Sequence, residues 1–196
     1  MSIRSTRDTW GSMSRTIHWL SAVLILFGLT HGYWMANLLQ PRPLRLSHYV
    51  WHGTIFLYFG LLLALRILWR LQDRAPDEPS DSASWEKTAA LLGHLALYGL
   101  MIWLLITGYM NWSAFPARFD PQRAAETKMY VLGFDVPAWH KVRDPETFKF
   151  WEHSHMYASW AMAALVVVHV AAALRHHFVK GNDIMRRMWS GRARAS

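Results

Sequence analysis

The sequence of 196 residues contains no cysteine. Without cysteine sulfur the chain cannot form disulfides, thiolate-ligated zinc or iron–sulfur sites, or the covalent attachment of a c-type haem. Charged residues are also scarce, at 17% of the chain, whereas 53% of the side chains are apolar. These proportions exclude a disulfide-stabilised scaffold and are not typical of a soluble domain.

Charged side chains are missing from four long stretches of the chain. These charge-free windows contain 26, 20, 30 and 22 residues and together make up half of the sequence; they lie at 16–41, 46–65, 88–117 and 153–174. An α-helix rises about 1.5 Å per residue, so roughly 20 residues cross the ~30 Å hydrocarbon layer of a bilayer. The sequence therefore predicts four membrane-spanning helices.

The expected fold is all-α, an integral membrane four-helix bundle that forms a single domain over residues 1–196. Prolines and polar segments set the expected helix bounds, which are about 14–39, 46–71, 85–112 and 147–179. The third connection, 113–149, contains four prolines and an amphipathic patch at 124–130, and it is too polar to span a membrane. We expect the first helix to be retained, because its window is too long for a signal peptide and no A-x-A-like cleavage site follows it.

Lysine and arginine residues flank the predicted helices and give a net charge of +8. They do not form a continuous basic stripe with interleaved aromatics, which disfavours nucleic-acid binding. Thirteen of the 21 lie on the side that holds both termini, and six of the other eight lie in the long third connection, where the positive-inside rule is weak. We therefore expect cytoplasmic termini and a multi-pass location in the inner membrane, since helical spans exclude the outer membrane.

Eleven histidines are present, and most fall within or beside the predicted spans. Imidazole is expensive inside a membrane without a partner, and it is the usual axial ligand of b-type haem. On helix four, His155 and His169 are fourteen residues apart, which separates them by about 40° around the helix and about 21 Å along it. They face the same way at two depths, as two haems stacked across a bilayer would require.

The predicted topology pairs these two histidines with partners on other helices. His18 opens helix one on the cytoplasmic side, where His169 also lies, and His52 enters helix two from the outer side, where His155 lies. We expect His18 with His169 and His52 with His155 to form two metal sites. His48 is the rival of His52, because it lies one turn away on nearly the same face.

Four sequence motifs contain these histidines. They are R-x-x-H-W-L from Arg15 to Leu20; His52 followed fourteen residues later by Arg66; L-x-H-x-x-x-Y with His94 and Tyr98; and His155 followed fourteen residues later by His169 and the ending H-x-A-A-A-L-x-H-H. Together they make the chain similar to the prokaryotic cytochrome b561 family over essentially its whole length.

This resemblance implies two b haems per chain and electron exchange with ubiquinone in respiratory electron transfer. One branch of the family oxidises superoxide at the outer face, so an oxidoreductase that passes electrons from superoxide to ubiquinone is one implied activity. We expect Arg15 and Arg66 to offset the charge of the haem propionates. The long third connection and the additional His48 depart from the shorter family members.

Three residues are candidates for the quinone site. His94 matches a position that the family resemblance associates with quinone. His176 returns to within about 20° of the face that carries His169, at the cytoplasmic boundary, and Lys87 lies at the same boundary. A packed histidine and snorkelling to lipid phosphate are the competing interpretations. We expect His31 and His153 to face away from the sites, and His140 to be a solvated loop residue.

The electron donor has two further interpretations in the sequence. The chain could be a b-type anchor subunit for a hydrogenase- or dehydrogenase-type partner that docks on aromatic residues of the third connection: Phe115, Phe119, Tyr130, Phe134 and Trp139. If superoxide is the donor, basic residues at the outer face would attract it, although acidic neighbours nearly cancel their field. These basic residues are Arg42, Arg45, Lys141, Arg143 and Lys149. A histidine-lined transporter is disfavoured, because no membrane-embedded carboxylate or broken helix is evident.

Overall fold

A computed structural model describes residues 2–40, 43–78, 82–120, 123–139 and 144–191. It contains four long α-helices and one short one: α1 (Ser12–Asn37), α2 (Pro43–Gln72), α3 (Ser84–Ser113), α4 (Pro145–Phe178) and α5 (Ile184–Trp189). In the third connection there are two 3-10 turns, Pro116–Phe119 and Ala125–Thr127, and a hairpin of β1 (Tyr130–Val131) and β2 (Phe134–Asp135). The expected all-α class is confirmed.

The long helices agree with the predicted spans to within three residues at each end. Pro145 shows why α4 begins earlier than expected, because proline is well tolerated at the first helical position, where its missing N–H costs nothing. Asp144 caps this helix, since its carboxylate accepts hydrogen bonds from the amides of Glu146 (3.0 Å) and Thr147 (3.1 Å). Local cap chemistry therefore sets the start of α4.

All four long helices are long and apolar enough to cross a membrane. Their large apolar side chains are widely exposed, for example Leu61 on α2, Leu91 on α3 and Val167 on α4. Such exposure would be costly in water but is the natural state of a side chain that faces lipid. The prediction of a multi-pass membrane protein is confirmed.

The described residues divide into two compact units. The first comprises Met1–Val23, Leu62–Tyr98 and Ala163–Ser196, and it contains a polar cluster around Asp73. The Asp73 carboxylate accepts hydrogen bonds from the amide (2.9 Å) and hydroxyl (2.6 Å) of Ser5 and from the Ser14 hydroxyl (2.7 Å). Trp69 donates its indole N–H to Ser14 (2.9 Å), so the cluster ties the N-terminal segment and α1 to the end of α2.

A second polar cluster of the first unit centres on Glu86 in the first turn of α3. The Glu86 carboxylate pairs with Arg175 (2.8 Å) in the last turn of α4 and with Lys180 just beyond it. It also accepts the amide of Ala83 (2.9 Å), as a capping-box residue does. The start of α3 and the end of α4 are thereby held together by a buried, doubly paired carboxylate.

The second unit comprises Leu24–Leu61 and Gly99–Met162, and its core lies where the third connection packs on α3. Trp112 is almost fully buried and donates its indole N–H to the carbonyl of Thr127 (2.9 Å). The guanidinium of Arg118 covers the same ring at 3.9 Å, a cation–π contact. The described part of the third connection is therefore folded, where the sequence predicted only an amphipathic patch.

Candidate metal centres

In the first unit, His18 of α1 lies beside His169 of α4. Their ring centroids are 6.3 Å apart, and the ring planes are inclined by 50°. Two imidazole nitrogens that bind one iron from opposite faces, each at about 2 Å, hold the ring centroids about 6 Å apart. The spacing of this pair therefore fits the axial ligands of a haem.

Arg66 of α2 reaches the same pair. Its Nη2 lies 3.1 Å from Nδ1 of His18, and its Nε donates to the hydroxyl of Tyr98 at 3.0 Å. A guanidinium has only donors, so Nδ1 of His18 is the acceptor and the proton of the neutral ring lies on Nε2. A fixed positive charge thus lies within hydrogen-bond distance of one predicted ligand.

In the second unit, His52 of α2 lies beside His155 of α4. Their ring centroids are 6.4 Å apart, with the ring planes nearly perpendicular at 86°. This spacing also fits two imidazoles on opposite faces of an iron. Each pair predicted from the sequence is therefore brought together within one unit.

The orientation of His155 is fixed by Thr107 of α3. The Thr107 hydroxyl donates to the carbonyl of Trp103 at 2.9 Å and lies 2.9 Å from Nδ1 of His155. Since its proton is used in the helix, the hydroxyl accepts from Nδ1–H, which leaves the Nε2 lone pair for a metal. Thr107 is fully buried, so no water competes for this bond.

Two glycines make room for the rings of the second pair. A Cβ on Gly108 would lie 3.2 Å from Cε1 of His155, and a Cβ on Gly32 would lie 3.4 Å from Cε1 of His52. Any side chain at Gly108 would press on the ring, so glycine permits the close approach. By contrast, a Cβ on Gly99 meets nothing within 4 Å, as expected for a glycine on an open helix surface.

His31 of α1 connects His52 to His48 through a short chain of ring contacts. Its Nδ1 lies 3.4 Å from Nδ1 of His52, and its Nε2 lies 3.2 Å from Nδ1 of His48. The rings of His31 and His52 are stacked, with centroids 5.6 Å apart. The expectation that His31 faces elsewhere is wrong, because α1 and α2 bring it onto the predicted ligand. His48 is the last residue in this series of ring contacts and touches His31.

The three quinone candidates have separate contacts in the first unit. The His94 ring stands edge-on to His169, with centroids 5.6 Å apart. Asn182 donates its amide to Nδ1 of His176 at 2.9 Å, and Lys87 pairs with Glu78 at 3.4 Å. His94 thus contacts a predicted metal ligand.

Arg15 contacts the C-terminal segment of the chain. Its Nη1 donates to the carbonyl of Trp189 at 3.1 Å, and its guanidinium lies over Gly191. His153 is exposed, as expected. Four residues predicted for the outer side lie outside the described residues: Arg42, His140, Lys141 and Arg143. The side chain of Phe119 is also not described.

Sequence reasoning missed Thr107, Gly32 and the role of His31. A threonine in an apolar helix is a weak signal, because it usually hydrogen-bonds its own helix. Only the packing of α3 on α4 shows that Thr107 also reaches His155. Within the described residues no group of three or more side chains is arranged to hold a metal ion, whereas two axial histidines suffice for haem, since the porphyrin supplies the other four nitrogens.

The fold and these pairs define a class of protein, a four-span membrane protein whose paired histidines fit b-type haem. The family model described as prokaryotic cytochrome b561 matches residues 9–191. Cytochrome b561 homolog 2 of Escherichia coli (strain K12) is 30% identical over 189 residues, which cover 96% of this chain and 95% of that protein. The chain belongs to the prokaryotic cytochrome b561 family of membrane b-type cytochromes, which confirms the resemblance found in the sequence.

Proposed function

We propose that this chain relays electrons from a donor at the outer face of the bacterial inner membrane to ubiquinone, through two b-type haems. The observation that carries the proposal is the recurrence of one geometry, because His18–His169 and His52–His155 have nearly equal centroid distances, 6.3 and 6.4 Å. One haem would need one such pair. Two pairs in separate units support two haems per chain.

The protein's own residues orient the ligands and set the electrostatics. Haem, when bound, supplies one-electron chemistry between the ferric and ferrous states. Thr107 holds the proton of His155 on Nδ1, and this hydrogen bond makes the ring a stronger donor through Nε2. Glycines at 32 and 108 leave the rings free to adopt that orientation.

Arg66 has a matching role at the other pair. Coordination by His18 through Nε2 requires the ring proton to be on Nδ1, which is incompatible with the present bond from Arg66. With His18 in that tautomer the guanidinium of Arg66 would be free to pair with an anion, and the propionates of a bound haem would be such anions. This supports the predicted role of Arg66. For Arg15 the role beside a propionate stays a prediction.

The direction of the relay rests on the distribution of basic residues. Both termini and the second connection hold most of the Lys and Arg residues, which favours a cytoplasmic location for that side. His18 and His169 belong to the unit that contains both termini, so we assign their haem to the ubiquinone side. His94, in contact with His169, is then the preferred candidate for a quinone contact.

The proposal is tested by a pyridine haemochrome assay and a redox titration of purified protein. We expect two protohaems per chain and two resolved midpoint potentials, of which ubiquinol reduces at least one. A content of one haem per chain would overturn the two-site relay. Two haems that exchange no electrons with ubiquinol would overturn the assignment of the quinone.

A further inference from the structure

The hairpin of the third connection carries an exposed apolar tip. Residues Tyr130 and Val131 of β1 pair with Asp135 and Phe134 of β2. Phe134 is 76% exposed, and Leu132 in the turn is 70% exposed. Two large apolar side chains at the tip of a short hairpin are expensive to leave in water.

The backbone of the turn makes the choice of leucine more unusual. Leu132 has φ +53° and Gly133 has φ +85°, so both central residues lie in the left-handed region, as in a type I′ turn. Asparagine or glycine is preferred at the first of these positions, because other side chains crowd the backbone there. In a turn exposed to water, asparagine at this position would both relieve backbone strain and be better solvated. Leucine does neither.

The hairpin lies alongside α2 rather than beyond its end. The amide of Leu132 donates to the hydroxyl of Tyr58 at 3.0 Å, and Met129 occupies the space that a side chain on Gly53 would need. Tyr58 is fifteen residues into α2, about 22 Å from its start. Tyr58 is itself exposed, so the tip lies against the outward surface of a membrane-spanning helix.

Several polar groups near the tip already have partners. The amide of Leu132 is used by Tyr58, the amide of Val136 donates to the carbonyl of Met129 at 2.9 Å, and Lys128 pairs with Asp135 at 3.0 Å. An unsatisfied amide costs several kcal/mol in hydrocarbon, so such pairing is a condition for entering lipid. The paired charges lie at the base of the hairpin and the apolar residues at its tip.

We propose that the hairpin tip, Leu132 and Phe134, is immersed in the acyl chains of the bilayer leaflet beside α2. The Lys128–Asp135 pair and the exposed rings of Tyr130 and Trp139 then lie at the level of the lipid headgroups, where such side chains are favoured. The occupant of this surface is lipid because the tip continues the apolar, lipid-facing surface of α2. The third connection is thus a membrane-anchored element and not a free docking loop.

Because the chain has no cysteine, single-cysteine variants can be labelled without background. Phe134→Cys and Leu132→Cys carry a nitroxide in full-length protein reconstituted into phospholipid nanodiscs, and collision rates are measured with oxygen and with a neutral nickel chelate. Leu61→Cys, exposed on α2, gives the value for lipid, and Glu126→Cys, exposed in the same connection, gives the value for water.

We expect both tip labels to resemble Leu61→Cys, with high oxygen and low nickel accessibility. Nickel accessibility like that of Glu126→Cys would overturn the proposal and leave the tip free for a partner protein. Low accessibility to both reagents would also overturn it, and would indicate a second copy of this chain on the hairpin. None of these readouts depends on the haem or on the electron donor.

Discussion

At the residue scale, the sequence left two candidates for the metal ligand on α2. His48 and His52 are one turn apart, and both lie near His31. The ring of His52 faces His155 at 6.4 Å, whereas the ring of His48 is reached through His31 and stands edge-on to Trp34 at 5.1 Å. This contact supports the choice of His52, which the sequence analysis made because helix two starts on the outer side.

His52→Ala is expected to remove one of the two proposed haems, because it deletes a proposed axial ligand. His48→Ala should leave the haem content at two, since His52 and His155 remain. The measurement is haem per protein by pyridine haemochrome, with circular dichroism to confirm that the helices persist. Loss of haem in His48→Ala with retention in His52→Ala would reverse the assignment.

Thr107 provides a prediction about the electronics of the same site. Thr107→Val removes the hydrogen bond to Nδ1 of His155, so the imidazole becomes a weaker donor and the ferric state is less stabilised. A hydrogen bond worth about 0.5–1.5 kcal/mol corresponds to roughly 20–60 mV for one electron, and we expect the midpoint potential to rise by that amount.

Thr30→Val is the matched control for this variant. Thr30 makes the same bonds to its own helix, to the carbonyls of Leu26 (2.8 Å) and Phe27 (3.1 Å), but it is exposed and no contact with a histidine is resolved for it. Its potentials should equal those of the parent protein in a spectroelectrochemical titration. Equal shifts in the two variants would show that Thr107 acts only on its helix.

At the scale of elements, the Asp73 cluster joins the N-terminal segment to the ends of α1 and α2. Burial by itself would raise the pKa of this carboxyl, but hydrogen bonds from Ser5 and Ser14 outweigh it, and the pKa is lowered. A carboxyl with a lowered pKa stabilises the folded state above its unfolded pKa of about 4. This contribution is lost as the pH falls through the lower, folded value.

Asp73→Asn is expected to lower the thermal unfolding midpoint in detergent at neutral pH. Hydrogen bonds to a charged group contribute about 1.5–3 kcal/mol, and asparagine retains only part of that. Asp8→Asn changes an exposed carboxylate of the same segment and should have little effect. As the pH falls through the lowered, folded pKa of Asp73, the stability of the parent should approach that of Asp73→Asn, since the carboxyl is then protonated in both the folded and the unfolded state. Equal destabilisation by both variants would contradict the role of the cluster.

The sequence predicted the helices well and the third connection poorly, for one physical reason. A charge-free window of 20 or more residues has essentially one stable solution in a bilayer, so the four spans were predicted to within three residues. The hairpin at 130–135 depends instead on contacts with α2, such as the bond from Leu132 to Tyr58. A positive φ at a leucine has no local sequence signal, so this element could not be expected.

In the candidate site, too, local sequence patterns predicted one part, and packing between helices determines the rest. Helical periodicity predicted that His155 and His169 share one face of α4, and topology predicted a partner for each of them. The structure brings the rings of both predicted pairs close together. Periodicity relates residues within a helix, however, and the contacts that orient the ligands run between helices. Thr107 on α3 and His31 on α1 could therefore be recognised only after packing was known.

At the scale of the whole molecule, the choice of electron donor depends on the charges of the third connection. In its described part, Lys128 pairs with Asp135 at 3.0 Å, and on the adjoining first turn of α4 Lys149 pairs with Glu146 at 3.5 Å. The side chains of both pairs are about half exposed or more, and within each pair the opposite charges lie close together. Their fields therefore nearly cancel at a distance. The structure therefore supports the expectation of weak steering for a small anion.

Superoxide pulses are expected to reduce the haem of isolated, ubiquinone-loaded protein at a rate that added salt changes by less than about threefold, because steering effects scale with the net field at the site. Stopped-flow absorbance measures this rate. Lys149→Ala should slow the reaction slightly and Glu146→Ala should speed it slightly, since each leaves the opposite charge unpaired. If no reduction occurs until a partner protein is added, superoxide is not the donor, and an anchor subunit for a dehydrogenase-type partner becomes the better description.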